Sequence, residues 1–150
     1  MLKKELLDWV SGSSLNVFVT VSLKQGIENE VGLWSRLTRE QTIKTAWLLR
    51  DRFTKAVVGK RKKLPFLVFA EGEGFLKRRH LHIVTALPSE MLFLDFSDKF
   101  RFQALKLDWV YNEIDVRLIG AGDQRRVIAY SLKEGTEAFL PEASYVPCKN

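Results

Sequence analysis

The chain has 150 residues, of which 46% are hydrophobic and 28% charged, with a formal net charge of +6 and a pI near 9.5. That size suits one domain burying roughly 70% of its unfolded surface, no apolar run approaches the ~18 residues of a membrane span, and the N-terminus lacks a signal-peptide core. The single cysteine, Cys148, excludes an internal disulfide and favours a reducing, cytoplasmic setting, while the positive balance suggests an anionic partner.

Leu2, Leu6, Leu7 and Val10 recur at helical spacing before a Ser-Gly-Ser-Ser breaker, which predicts a short amphipathic helix. Residues 16–23 alternate and are β-branched, as a first strand would be, and 24–37 reads as loop. Thr38 and Gln41 have the form of a capping box. Ile43, Ala46, Trp47, Arg50, Phe53 and Val57 then follow at helical period until Gly59. Lys60, Arg61, Lys62 and Lys63 form a basic loop. It is an ordinary solvated turn or, because it leads into the next strand, a phosphate contact.

Residues 64–71 are an apolar run ending on Glu71, and glycines at 72 and 74 let the chain turn back. The only two histidines of the protein follow as His80-Leu81-His82. In a strand, residues i and i+2 share a face, so both imidazoles point one way and Leu81 points into the core. If the two runs pair, Glu71 or Glu73 falls near the histidines. Two imidazoles and a carboxylate can share one divalent ion, so the run is a candidate metal site on the face of a sheet. Glu71 is preferred because it still belongs to the strand, whereas Glu73 lies between glycines.

Leu87-Pro88-Ser89 ends that strand. Residues 91–107 are ambiguous between strand and helix, with Phe93, Phe96, Phe100 and Phe102 as core candidates. Residues 109–119 alternate as a strand, with Ile114, Val116 and Leu118 on one face. Asp123 is placed to N-cap a helix running to about Glu134, stopped by Gly135. Ile128 and Leu132 form its buried stripe, and Arg126, Tyr130 and Lys133 share another face. A tyrosine beside cations is what phenolate chemistry needs, since free tyrosine has a pKa near 10. The plain alternative is an exposed tyrosine on a basic helix. The tail beyond 136 carries two prolines and reads as a surface segment. The order of elements predicts an α+β domain with a mostly antiparallel sheet.

The set of motifs resembles the HUH endonucleases, a superfamily that includes rolling-circle replication initiators, relaxases and transposases. The resemblance is carried by His80-Leu81-His82, by Glu71 nine residues before it, and by the Tyr130-Ser131-Leu132-Lys133-Glu134-Gly135 run. Phe18-Val19-Thr20-Val21-Ser22 is similar to the opening strand of that family. The likeness spans about residues 16–136. Where His82 stands, the viral initiators usually have glutamine, so the subfamily stays open.

The resemblance implies a five-stranded antiparallel sheet flanked by helices. It also implies Mg²⁺ or Mn²⁺ held by His80, His82 and Glu71, with Tyr130 attacking a phosphodiester of single-stranded or origin-hairpin DNA to leave a covalent 5′-phosphotyrosine. Lys133 would stabilise the phenolate or the phosphate, with Arg126 as a helper. Lys60, Arg61, Lys62, Lys63, Lys77, Arg78 and Arg79 would grip backbone phosphates. Trp9 and Trp34 are candidate stacking aromatics whose ordinary role is core packing, and Tyr111 and Tyr145 are lesser nucleophile candidates. Initiators often continue into a helicase domain, and no part of this chain encodes one. An isolated nuclease domain or small enzyme from a plasmid or phage is expected. The alternatives are a non-catalytic basic nucleic-acid-binding module and a metal-dependent hydrolase that activates water.

Overall fold

Alternation in four stretches of the chain builds one sheet. In the computed structural model, which describes residues 2–11, 14–72, 78–120 and 122–146, the elements run α1 (Leu2–Ser11), β1 (Val17–Leu23), β2 (Gly26–Glu28), β3 (Trp34–Arg36), α2 (Arg39–Val58), β4 (Phe66–Glu71), β5 (His80–Thr85), α3 (Phe93–Ala104), β6 (Val110–Leu118) and α4 (Gln124–Ser131). The Trp9 side chain, Glu73, Lys77 and Cys148 lie outside the described residues. Among the described residues no helix is long and apolar enough to cross a membrane.

The main sheet is antiparallel throughout, in the order β4-β5-β1-β6. Its two faces are the two phases of each strand. Val17, Val19 and Val21 of β1, Phe66 and Val68 of β4, and Leu81 and Ile83 of β5 are buried towards α2 and α3. Leu67, Phe69 and Val84 pack on the opposite face with Leu6 of α1, Ile128 of α4 and Leu132, which caps the C-terminus of α4. Each large apolar side chain so buried contributes about 1.5–3 kcal/mol.

Four strands stand here where five were expected, and the reason lies in the tail. Residues 139–145 run along the outer edge of β4 but bridge it only at Phe69–Phe139 and Phe66–Tyr145. Between these points Pro141 opens a helical turn, Pro141–Ala143, so a continuous ladder cannot form. The Ser144 hydroxyl accepts from the Val68 N–H at 2.9 Å, doing the work of a missing strand carbonyl. Phe139, Leu140 and Ala143 are buried, so the tail is an edge cover and not a surface segment. Loop 24–37 holds the separate two-stranded β2–β3 hairpin. Its turn is closed by Asn29 Oδ1, which accepts from the N–H groups of Val31 (3.1 Å) and Leu33 (2.8 Å).

The capping box at α2 forms as expected. Gln41 N–H donates to Thr38 Oγ1 at 3.1 Å, and the Thr38 N–H donates to Gln41 Oε1 at 2.9 Å. The buried stripe is turned slightly from the expected one. Thr42, Thr45, Ala46, Leu49 and Phe53 face the core, and Trp47 is left exposed. The ambiguous stretch 91–107 is helical as α3. Phe96 and Phe100, one turn apart, clasp Phe53 at centroid distances of 5.0 and 4.9 Å, while Phe102 points outward and Phe93 is half-buried. Helix α4 ends at Ser131, a turn earlier than expected. Asp123 gives it no side-chain cap because that carboxylate pairs with Arg126 at 3.4 Å.

Candidate active site

On the α1/α4 face the alternation of β1, β4, β5 and β6 brings Phe18, Thr20, Glu71, His80, His82, Asp115 and Arg117 to one surface. There they and Tyr130 line a cleft of about 410 Å³. The hairpin β4–β5 sets Glu71 directly opposite His80, and β1 sets Thr20 opposite His82. Gly72, with φ of 88°, turns the chain out of β4. The Arg78 carbonyl passes so close to it that a Cβ would collide with the backbone. The glycine expected to reverse the chain is therefore required by contact as well as by conformation. Gly74 lies outside the described residues.

His82 is the centre of the site and is almost fully buried. Its ring stacks on Phe18 at 5.4 Å and meets the edge of Tyr130 at 5.8 Å, while the His80 ring lies 6.3 Å away. His82 Nε2 is in direct contact with Glu71 Oε2, and Nδ1 lies 3.3 Å from Thr20 Oγ1. Burial holds the His82 pKa below its ordinary value, although the Glu71 carboxylate draws it upward. The ring is therefore neutral at pH 7, with Nε2–H donated to Glu71 and Nδ1 accepting from the Thr20 hydroxyl.

Lys133 joins this network to α4. Its Nζ is 2.9 Å from Glu71 Oε1 and 4.1 Å from the centroid of the Tyr130 ring. Burial alone would raise the Glu71 pKa. The hydrogen bonds from Lys133 and His82 outweigh it, and the carboxyl is held below its ordinary value. The same bond to Glu71, with a second that Lys133 donates to the Tyr130 oxygen, raises the Lys133 pKa. Glu134 fastens the turn after α4 to the turn after β4 by accepting from the Gly72 N–H at 3.3 Å. Tyr130 is half exposed at the mouth of the cleft, so a ligand can reach a phenol that already sits beside an ammonium.

The donor set of two imidazoles and a carboxylate on one face suits a divalent ion chemically. Among the described residues no three such side chains are already gathered around a common point. The fit therefore rests on donor chemistry, and both Glu71 oxygens have protein partners in this arrangement.

The other candidates are dispersed. Arg78 pairs with Glu113 at 3.0 Å and lies over the Tyr111 ring, on the β6 side of the cleft. The Arg79 carbonyl accepts from the Leu23 N–H. Arg126 is exposed and held by Asp123. Lys60, Arg61, Lys62 and Lys63 lie before the first residue of β4, whereas Glu71 is its last. Tyr145 sits at that distant end under Lys63, so Tyr130 alone of the three tyrosines stands against a histidine. Trp34 lies across Gly26 in the small hairpin and is exposed. Sequence reasoning assigned no role to Thr20, Asp115 or Arg117. Asp115 and Arg117, ion-paired at 2.6 Å, form the open rim. The signal for all three was their phase on β1 and β6, usable only once those strands are known to lie beside β5. A larger cleft of about 930 Å³ near Val57, Met91, Leu92 and Asp95 contains neither histidine nor tyrosine, so size does not locate the chemistry.

No protein-family model, curated protein or solved structure matches the chain.

Proposed function

We propose that this chain is a metal-dependent enzyme of the HUH type that nicks and rejoins single-stranded DNA, with Tyr130 as nucleophile. The observation that supports it most is Lys133. Its ammonium contacts both the Glu71 carboxylate, which ends β4 beside the histidines of β5, and the Tyr130 ring, on a helix some fifty residues later in the chain. In this reading the Tyr130 Oη attacks the scissile phosphorus, the bond to the 3′ oxygen breaks, and a 3′-hydroxyl leaves. DNA stays attached through a 5′-phosphotyrosine, and the phosphodiester free energy is kept for rejoining. Lys133 stabilises the phenolate and the charge that gathers on the phosphate oxygens. Mg²⁺ or Mn²⁺ held by His80, His82 and Glu71 would supply Lewis-acid polarisation of that phosphate. Thr20 and Phe18 hold the His82 ring in orientation. The biological role implied is initiation of rolling-circle replication, with relaxase or transposase as the neighbouring roles.

One observation favours a second reading, a basic nucleic-acid-binding module without chemistry. Glu71 is already satisfied by His82 and Lys133, a closed network that needs no ion. A denaturing gel after incubation with labelled single-stranded oligonucleotides and Mn²⁺ separates the two. Label on the protein band, lost in Tyr130→Phe and with EDTA, is the expected result. Cleavage without a covalent band would instead indicate an activated water. Binding without cleavage would leave the module.

A further inference from the structure

A cluster of lysines remote from Tyr130 takes no part in the chemistry above. The last turn of α2 and the loop after it enclose a cleft of about 280 Å³, lined in part by Lys55, Lys60, Lys62, Lys63, Thr54 and Tyr145. Arg50 and Asp51 also line it, but they are paired with each other at 3.1 Å. Arg50 Nη1 further donates to the carbonyls of Glu142 (3.2 Å) and Ser144 (3.1 Å), which holds the tail. Asp51 is the one acid in the lining, and among the described residues no carboxylate pairs with Lys60, Lys62 or Lys63.

Helix electrostatics account for one of these cations. Lys55 lies in the last turn of α2, where it complements the free carbonyls. Gly59 then closes the helix by donating its N–H to the Lys55 carbonyl at 3.1 Å, so the later lysines lie beyond the helix end. Lys63 sits over the Tyr145 ring at 5.0 Å, and Lys60 and Lys62 are exposed. Like charges lining one small concavity repel one another, and the repulsion is relieved by an anion with several charges.

We propose that this cleft is a second nucleic-acid contact that binds the phosphate backbone, separate from the Tyr130 site. Strand β4 lies between the two. Its five residue steps from Phe66 to Glu71 separate them by about 17 Å along the strand at ~3.3 Å each, and the lysine cleft lies on the α2 side of the sheet whereas Tyr130 lies on the α4 side, so a strand touching both passes the sheet edge. Contacts of this kind fix where a strand lies without reading its sequence. The inference extends the reading of the active site to its substrate, but its test measures binding and not cleavage.

The test compares the full chain with a Lys60→Ala, Lys62→Ala, Lys63→Ala triple variant, and with the triple lysine-to-arginine variant. Anisotropy would follow labelled oligonucleotides of about 30 and about 6 nucleotides between about 50 and about 200 mM salt. For the alanine variant the salt slope on the long oligonucleotide is expected to fall by about 2, at ~0.7 per lost contact, with affinity down about tenfold or more. The arginine variant should bind as the parent does, and the short oligonucleotide should be little affected. Unchanged slope and affinity overturn the proposal. So does absence of DNA binding by the parent, or loss of binding to phosphatidylserine vesicles with DNA binding intact. A parent that forms no covalent adduct, yet loses binding in the alanine variant, would refute the Tyr130 reading and leave this one standing.

Discussion

The α2/α3 face of the sheet is sealed, with Phe53, Phe96 and Phe100 interlocked over valines and leucines that are wholly buried. The α1/α4 face is sealed only where Leu67, Phe69 and Val84 meet Leu6, Ile128 and Leu132. Elsewhere it presents Thr20, Glu71, His80, His82 and Asp115. The two faces come from the same alternating strands, and helix length separates them. A helix of 20 residues is about 30 Å long and spans a sheet, whereas α4 with 8 residues is about 12 Å long. The short helix leaves room for a cleft, with Tyr130 in its last turn and Lys133 in the turn that follows at the cleft's edge.

The contrast is broken most strongly on the sealed side. Phe53→Ala removes a ring that touches Phe66, Phe96 and Phe100, and should destabilise the fold by about 3–5 kcal/mol in urea unfolding. A loss below about 1 kcal/mol would mean that this face repacks freely. On the open side the balance should reverse. Lys133→Met removes a partly exposed ion pair, so stability should shift by less than about 1 kcal/mol. Covalent-adduct formation should fall about 10²-fold or more, measured as single-turnover rates. Equal damage to fold and rate would make Lys133 a structural residue.

The smallest expected effect is on acid stability. The His82 pKa is depressed by burial from its ordinary 6.5, so below that pH the unfolded chain takes up a proton that the native ring resists. Stability therefore falls as the solution is acidified. Glu71 adds to the fall only at lower pH, because its carboxyl is held below the ordinary 4.5. Urea midpoints at about pH 7.5 and about pH 5 should differ less in His82→Gln than in the parent. Parallel curves would show that the ring does not carry this dependence.

Much of the fold and the site is legible in the sequence, because the determinants are local. The His80-Leu81-His82 alternation, the capping box at Thr38 and the turn at Gly72 each depend on neighbours a few positions away. The phase of α2 was less legible. Trp47 is apolar and at helical spacing, yet Leu49 takes its place, since the core selects a face by fit and not by hydrophobicity alone. The stretch 91–107 stayed ambiguous because a run of aromatic residues suits a buried strand as well as a helix.

The α+β class and the shared face of the two histidines follow from residue order alone, which also favoured Glu71 over Glu73 as their carboxylate neighbour. Periodicity and glycine conformation act over a few residues and leave a readable trace. That Glu71 reaches His82 diagonally, that Lys133 bridges it to Tyr130, and that Ser144 and the tail close the β4 edge depends on how the chain folds back on itself. The same folding separates Lys60–Lys63 from the histidines by the length of a strand. Each of these depends on strand register and helix docking, which are set by contacts between residues far apart in the chain.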